Sequence, residues 1–573
     1  MRIRHRLSAH DAHAHLVEVE TTVTGDDLPS PLELAFAAWT PGSYLVREYA
    51  RNVEGMSSDL PIRKVRKNAW QIDHGGAHEV TVRYRVYCND LSVRTNHVDS
   101  THIYVNGAAT FVFVPGRLEV PIDVDIAAPA GWRVATALPR GTTMHHAPNV
   151  DVLMDSPIEI GTHGEESFVA AGKAHTFAIW PHDAVREADT SRLIEATKTI
   201  VETEARLFGG SLPHDGYTFI FHVSPRGRGG LEHMASSTLL VAPSVFDGRE
   251  AWLDLLSLVA HEYFHLWNVK RIRPAGLVPY RYEEENYTRL LWWFEGATSY
   301  YDWRVLRLSK LCTVEEYLDH LTTEIVYLDQ TPGRLVHALE DASFDAWIKL
   351  YRPDENSPNS TVSYYRKGEL VCALLDLEIR ARTQGRAHLD KVLFHLWERY
   401  GQRGEPVPED GMQRIFETVC ETSLDDLFSA WIRSPREIDP GPVLSRAGLQ
   451  IEKTPKVDAP SLAVRTRENG GRLFVTHTLR GGAAQRAGID VGDELLAIGD
   501  LRVEGSTDSA LGKHKAGDTA PVIVARDGRV RTLEVALDPP RADRVRIIAR
   551  KDATSEEKAL CELWLGDLHP TWK

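Results

Sequence analysis

Cysteine is scarce in this chain. Only Cys88, Cys312, Cys372, Cys420 and Cys561 occur in 573 residues, and no two stand in a CxxC pair. An odd, scattered set excludes a disulfide scaffold and fits reduced structural thiols in a cytoplasmic protein. Long apolar runs are missing too. The best candidate, residues 251–260, is broken by Asp254 and falls well short of the roughly eighteen residues a membrane span needs. Basic charge is in deficit: 66 Lys+Arg against 81 Asp+Glu leave a formal net charge of −15. Such a surface repels phosphate backbones, so neither nucleic acid nor membrane is expected as a partner. The opening residues, MRIRHRLSAHDAHAH, carry basic side chains with no apolar run behind them, so no secretory leader is expected. What remains is an ordinary globular composition, 43% hydrophobic. At about 150 residues per domain, the chain is too long for one core and needs three or four domains.

The patterning divides the chain. Residues 1–172 read as an all-β domain, a sandwich or saddle: HAHLVEVETTV, HEVTVRYRVYC and LEVPIDVDI alternate apolar and polar positions between turn residues. Residues 173–438 are mostly helical. SRLIEATKTIVETEARLF shows helical spacing behind Ser191, a candidate cap; the strands YTFIFHVSP and STLLVAP follow, and the polar stretch 352–360 is expected to be a loop. After the break IDPGP, residues 439–540 return to short strands around a helix at 483–487 that ends on Gly488, leaving 541–573 as an extension. The class is multidomain α+β.

The sharpest chemical signal is His261-Glu262-Tyr263-Phe264-His265. Positions i and i+4 share a helix face, so both imidazoles can reach one ion while Glu262 stands where a general base is needed. The preceding LDLLSLVA is strongly apolar, which puts the helix in a dry interior where unpartnered imidazoles and a carboxylate are costly; a zinc ion removes that cost. A catalytic zinc usually takes three protein ligands and leaves a fourth position for water. Glu295, one carboxylate in the aromatic run LLWWFEGATSYYDW, is the candidate third ligand, and Gly296 and Ala297 after it would let a neighbouring helix approach closely. Asn268 or Asp302 could orient a ligand histidine from behind; the sequence does not choose between them.

These residues resemble the zinc peptidases that combine H-E-x-x-H with a downstream Glu. Gly229-Gly230-Leu231-Glu232-His233-Met234 is similar to the Gly-x-Met-Glu-Asn segment of alanyl-type aminopeptidases, which implies that Glu232 holds the substrate's free amine, with Gly229 and Gly230 along its backbone. Tyr365-Arg366-Lys367-Gly368 resembles their Tyr-x-Lys-Gly segment, whose Tyr donates to the oxyanion; Tyr364 is adjacent, so the donor can slip by one. Nearly the whole chain resembles the glycyl aminopeptidases of metallopeptidase family 61. The signature at 38–49 (AWTPGSYLVREY), the stretch HEYFHLWNVKRIRP and Trp293-Phe294-Glu295-Gly296 all agree. That resemblance implies a thermolysin-like catalytic domain, Zn²⁺, and release of small N-terminal residues such as Gly or Ala. Residues 481–496 resemble a PDZ domain. Gly448 and Leu449 are its candidate peptide-carboxylate loop, with a purely architectural role equally open.

The expected function is therefore a zinc aminopeptidase with His261, His265 and Glu295 on the metal, Glu262 as acid/base, Tyr365 at the oxyanion and Glu232 on the α-amine. Its partners are peptides with a free N-terminus and, at the PDZ domain, a peptide C-terminus. The rivals are a zinc endopeptidase or other zinc hydrolase on the same scaffold, and an inactive PDZ scaffold.

Overall fold

The computed structural model describes residues 1–225 and 227–573. By contact clustering the chain forms two compact units. The first comprises residues 1–288, 301–311 and 393–409; the second comprises 289–300, 312–392 and 410–573.

In the first unit, the alternating patterns become strands. Leu16–Thr24 and Glu79–Tyr87 lie side by side in a six-stranded sheet, with every second residue buried. A four-stranded sheet holding Leu32–Phe36 faces it. Phe36 meets Tyr84 edge-on at 5.3 Å between ring centroids, the inter-sheet contact of a sandwich. The next layer is a five-stranded sheet in which Lys173–Trp180, Gly216–Val223 and Ser236–Val241 run parallel, with antiparallel edges at Gly164–Ala170 and Gly229–Glu232. Parallel strands are covered on both faces, which is why FIFHV and STLLV are buried throughout. The edge strand Gly164–Ala170 falls before the expected boundary at 172 yet belongs to this sheet, because it hairpins directly onto Lys173–Trp180.

Two helices cover the sheet. Glu187–Leu207 begins ahead of the expected cap, with Arg186 at its N-cap and Ser191 inside it. Acidic Glu187 and Asp189 in the first turn complement the helix dipole there. Arg249–Phe264 packs on that helix and on the strands Gly229–Glu232 and Ser236–Val241.

The second unit is built on the buried helix Tyr364–Thr383, capped by Ser363 accepting from the Arg366 amide. The expected 352–360 loop closes with one helical turn, Ser357–Ser360. A six-stranded sheet follows, with its own apolar core from Ala459 to Leu537. Its helix Ala483–Ala487 ends on Gly488 at φ 81°, the left-handed stop read from the sequence.

Residues 541–573 are more than an appendage. Arg544–Ala549 pairs with Leu449–Thr454 in a separate two-stranded sheet, and the helix Ser555–Leu565 buries Cys561, Trp564 and Leu565. This corrects the expectation for Gly448 and Leu449. The Gly448 amide donates to Ser445 O at 3.0 Å and its carbonyl accepts from Arg550 N at 2.8 Å, so neither group is turned to a peptide terminus. A Cβ on Gly448, whose φ is +67°, would lie 2.7 Å from the Ala553 Cβ. This glycine serves close packing of the C-terminal segment.

Candidate functional site

The sequence reading put His261 and His265 on one helix face. The structure places them there, His261 in the last turn of Arg249–Phe264 and His265 at its C-cap, with ring centroids 4.7 Å apart and planes at 84°. Each ring is held from behind. His261 Nδ1–H donates to Asp302 Oδ2 at 3.0 Å, and His265 Nδ1–H donates to the Asn268 backbone carbonyl at 2.7 Å. Both candidate orienting residues are therefore in use, one by side chain and one by main chain. With the proton on Nδ1, the lone pair of each imidazole lies on Nε2, the tautomer that serves a metal.

The same helix is anchored by Tyr263, whose hydroxyl lies 3.0 Å from both His175 Nε2 and His214 Nε2. Burial lowers these two histidines to about 4 and about 3, so both are neutral and the hydroxyl can accept from one and donate to the other. Trp267 stacks on Phe208 at 4.3 Å and 6°, which gives the Leu-Trp-Asn after the second histidine a packing role.

The edge strand Gly229–Glu232 runs beside this helix. Glu232, Glu262 and His265 bring ligand atoms within 4.8 Å of one another, all three residues buried. Glycine lets the backbone approach both carboxylates: a Cβ on Gly230 would sit 2.0 Å from Glu262 Oε1, and one on Gly42 would sit 2.5 Å from both Glu232 carboxylate oxygens, so either side chain would have to move. The signature at 38–49 thus closes over Glu232, with Trp39 Nε1–H donating to Arg281 O at 2.9 Å. Gly230 also presents its carbonyl to Arg94 at 3.2 Å.

Behind Glu232 lies a charge cluster that the sequence reading missed. Lys270 Nζ donates to Asp155 Oδ1 at 2.8 Å and stands 3.8 Å from Glu232 Oε1, while Asp155 also accepts from the Met234 amide at 2.6 Å. Burial opposes the Asp155 charge, but Lys270 and His233 outweigh it and hold that carboxyl down at about 2. Glu204 was missed as well. It is fully buried beside Asp302 and His261, and burial first, then the Asp302 charge, pushes its carboxyl well above the usual range. In sequence Glu204 is one more acid on an amphipathic helix; no spacing marks it.

In the second unit, Glu295 caps the short helix Leu291–Phe294, whose tryptophans pack edge-on against Phe428 and Phe416. The expected close approach of a neighbouring helix occurs at Gly296. A Cβ there would lie 2.6 Å from Gly368 Cα and 2.7 Å from the Tyr364 carbonyl, so Tyr364–Thr383 crosses at backbone contact. That crossing sets the Tyr364 and Tyr365 rings, stacked at 4.7 Å, close enough to feel the Glu295 charge. Burial, then Glu295, raises the Tyr365 phenol well above its ordinary value, which keeps it a proton donor; its oxygen is 3.2 Å from the Tyr351 hydroxyl.

With this geometry in hand, comparison with known families is decisive. The M61 glycyl aminopeptidase model matches residues 254–371, the M61 N-terminal domain model matches 4–162, and a PDZ model matches 460–537. Over these stretches the chain is similar to the M61 peptidases. A solved aminopeptidase N family protein from Idiomarina loihiensis is 29% identical over 99% of this chain and 100% of its own, with a TM-score of 0.92. Yeast LTA4 hydrolase, at 13% identity over 78% of this chain and 70% of its own with a TM-score of 0.48, is too distant to bear on the chemistry. No curated protein matches the chain. The chain is thus a peptidase of multidomain α+β build with a C-terminal PDZ domain, and peptides are its substrates. Among its described residues, no helix is long and apolar enough to cross a membrane.

Proposed function

We propose that the chain is a zinc aminopeptidase, with His261, His265 and Glu295 as the metal ligands. Two Nε2 lone pairs and a buried carboxylate are the donor set zinc favours. Zinc bound there would polarise the scissile carbonyl and lower the pKa of the attacking water. Glu262, one residue past the first ligand, takes the water's proton and passes it to the leaving amine. Tyr365, kept protonated by its surroundings, donates to the developing oxyanion. Glu232 receives the α-ammonium group of the substrate, while Gly229 and Gly230 lie along its extended backbone.

One observation carries the exopeptidase reading: a second buried carboxylate, Glu232, stands within 4.8 Å of Glu262 and His265. Among the described residues its Oε1 makes no hydrogen bond, and Lys270 Nζ stands 3.8 Å from it. A cationic amine placed there gains a charge-assisted hydrogen bond and leaves only the first peptide bond at the base. The resemblance to glycyl aminopeptidases favours small N-terminal residues such as Gly and Ala. The test compares a peptide bearing a free N-terminus with its acetylated twin. The free form should be cleaved at its first bond and the acetylated form resist; equal cleavage of both would favour the endopeptidase. At the PDZ domain, the edge strand Val464–Asn469, which among the described residues pairs in its sheet with Arg472–Thr478 alone, is the proposed acceptor of an extended peptide C-terminus.

A further inference from the structure

The strands around the peptidase sheet bury a second donor set. His102 opens the strand His102–Val105, Glu159 lies in the adjoining Ile158–Gly161, and His222 comes from Gly216–Val223. None of the three is more than 1% exposed. His102 Nδ1 is 2.9 Å from Glu159 Oε1, His222 Nε2 is 3.0 Å from Glu159 Oε2, and the two rings stand at 86° with centroids 5.6 Å apart. Among the described residues, Glu159 forms ion pairs with these two imidazoles alone. The three residues thus bring two imidazole nitrogens and a carboxylate together in a dry core, with ligand atoms within 4.8 Å of one another.

We propose that His102, Glu159 and His222 form a second, structural zinc site. Two imidazole nitrogens and both carboxylate oxygens supply four donors of the type zinc takes. Two ligands about 2.1 Å from one ion at the tetrahedral angle are themselves about 3.4 Å apart, so the contacts at 2.9 and 3.0 Å need open only by a few tenths of an ångström to admit it. On the His102 side the rear of the site is ordered. The Nε2 of His102 is engaged by His97 Nδ1 at 2.7 Å, and its ring lies flat on Trp180 at 3.5 Å and 5°, so its orientation is fixed. An ion here ties the strands His102–Val105 and Ile158–Gly161 to the first unit's five-stranded sheet. The proposal does not rest on the peptidase chemistry.

The test counts zinc in the full-length protein after dialysis. Wild type should hold two equivalents and a His261→Ala/His265→Ala double variant one. That remaining ion should show two imidazole nitrogens in its X-ray absorption and leave only on unfolding. His222→Gln should also lose one equivalent while keeping peptidase activity. A double variant with no zinc, or with an ion in an all-oxygen shell, overturns the proposal; so does a folded His222→Gln protein with the wild-type count. If His222→Gln does not fold, the double variant alone decides. A wild type holding one equivalent that survives the double substitution would sink the His261–His265 assignment and leave this one standing.

Discussion

Glu262 is buried beside two imidazoles without being one of the proposed metal donors, so substitution there separates chemistry from metal binding. In Glu262→Gln, zinc content should stay at the wild-type value while kcat falls by about 10²–10⁴-fold, the usual worth of a general base. Asp302→Asn makes the opposite cut. It weakens the bond that holds His261 Nδ1–H, and metal affinity measured by chelator competition should drop by about 10–100-fold. Tyr365→Phe should lower kcat by about 10²–10³-fold with little change in KM, because the phenol's bond strengthens only as the oxyanion forms. A variant with unaltered kcat would hand that role to Tyr364. The H-E-x-x-H pair, Glu232, Glu295 and Tyr365 could all be named as candidates from the sequence, since each is marked by a short motif. Glu204, Lys270 and Asp155 were not, because their importance arises from who faces them in space.

Among the elements, the tightest constraint is the crossing of Gly296 and Gly368. Gly296→Ala would force a Cβ into backbone atoms that cannot yield, since the nearest are Gly368 Cα and the Tyr364 carbonyl. The two segments must part, at a cost on the order of 1–3 kcal/mol seen as a lower thermal midpoint. Peptidase activity should fall further than stability, because Glu295 and Tyr365 lie on the two segments concerned. The sequence foresaw a close approach at Gly296 from the small residues alone; that the partner would be Gly368 depended on the fold. Ser191 shows the converse. It looked like a cap, but Glu187 and Asp189 start the helix a turn earlier, and Ser191 lies within it.

At the scale of the molecule, the buried Asp155–Lys270 pair makes stability depend on pH. The Asp155 carboxyl titrates near 2 in the folded chain, below its ordinary value near 4, so its contribution is present above about pH 4 and is lost as pH falls towards 2. Lys270 is raised by Asp155 and Glu232 against the opposing effect of burial, so its contribution is full below its ordinary value and fades only at strongly alkaline pH. Denaturant melts from pH 5 to pH 2 should show wild type losing on the order of 2 kcal/mol at this site. Asp155→Asn should be less stable at pH 7 and lose less on acidification. The PDZ sheet is tied to its own unit by Asn359, which donates to the Thr478 carbonyl at 2.8 Å and accepts from the Arg480 amide at 2.7 Å.

Periodicity and motif spacing are local properties, and they alone determined the β-rich start, the helical middle, the two imidazoles one turn apart and the Gly488 helix stop. A glycine's purpose is not local. Gly448 read as a tight peptide-binding loop, yet the fold fills the space beside it with Ala553 and Trp572. Which carboxylate meets which cation, which imidazole is held by Asp302 and which by Asn268, and where three strands gather His102, Glu159 and His222 were decided only by tertiary structure. Burial and distance set those energies, and neither quantity exists until the chain has closed on itself.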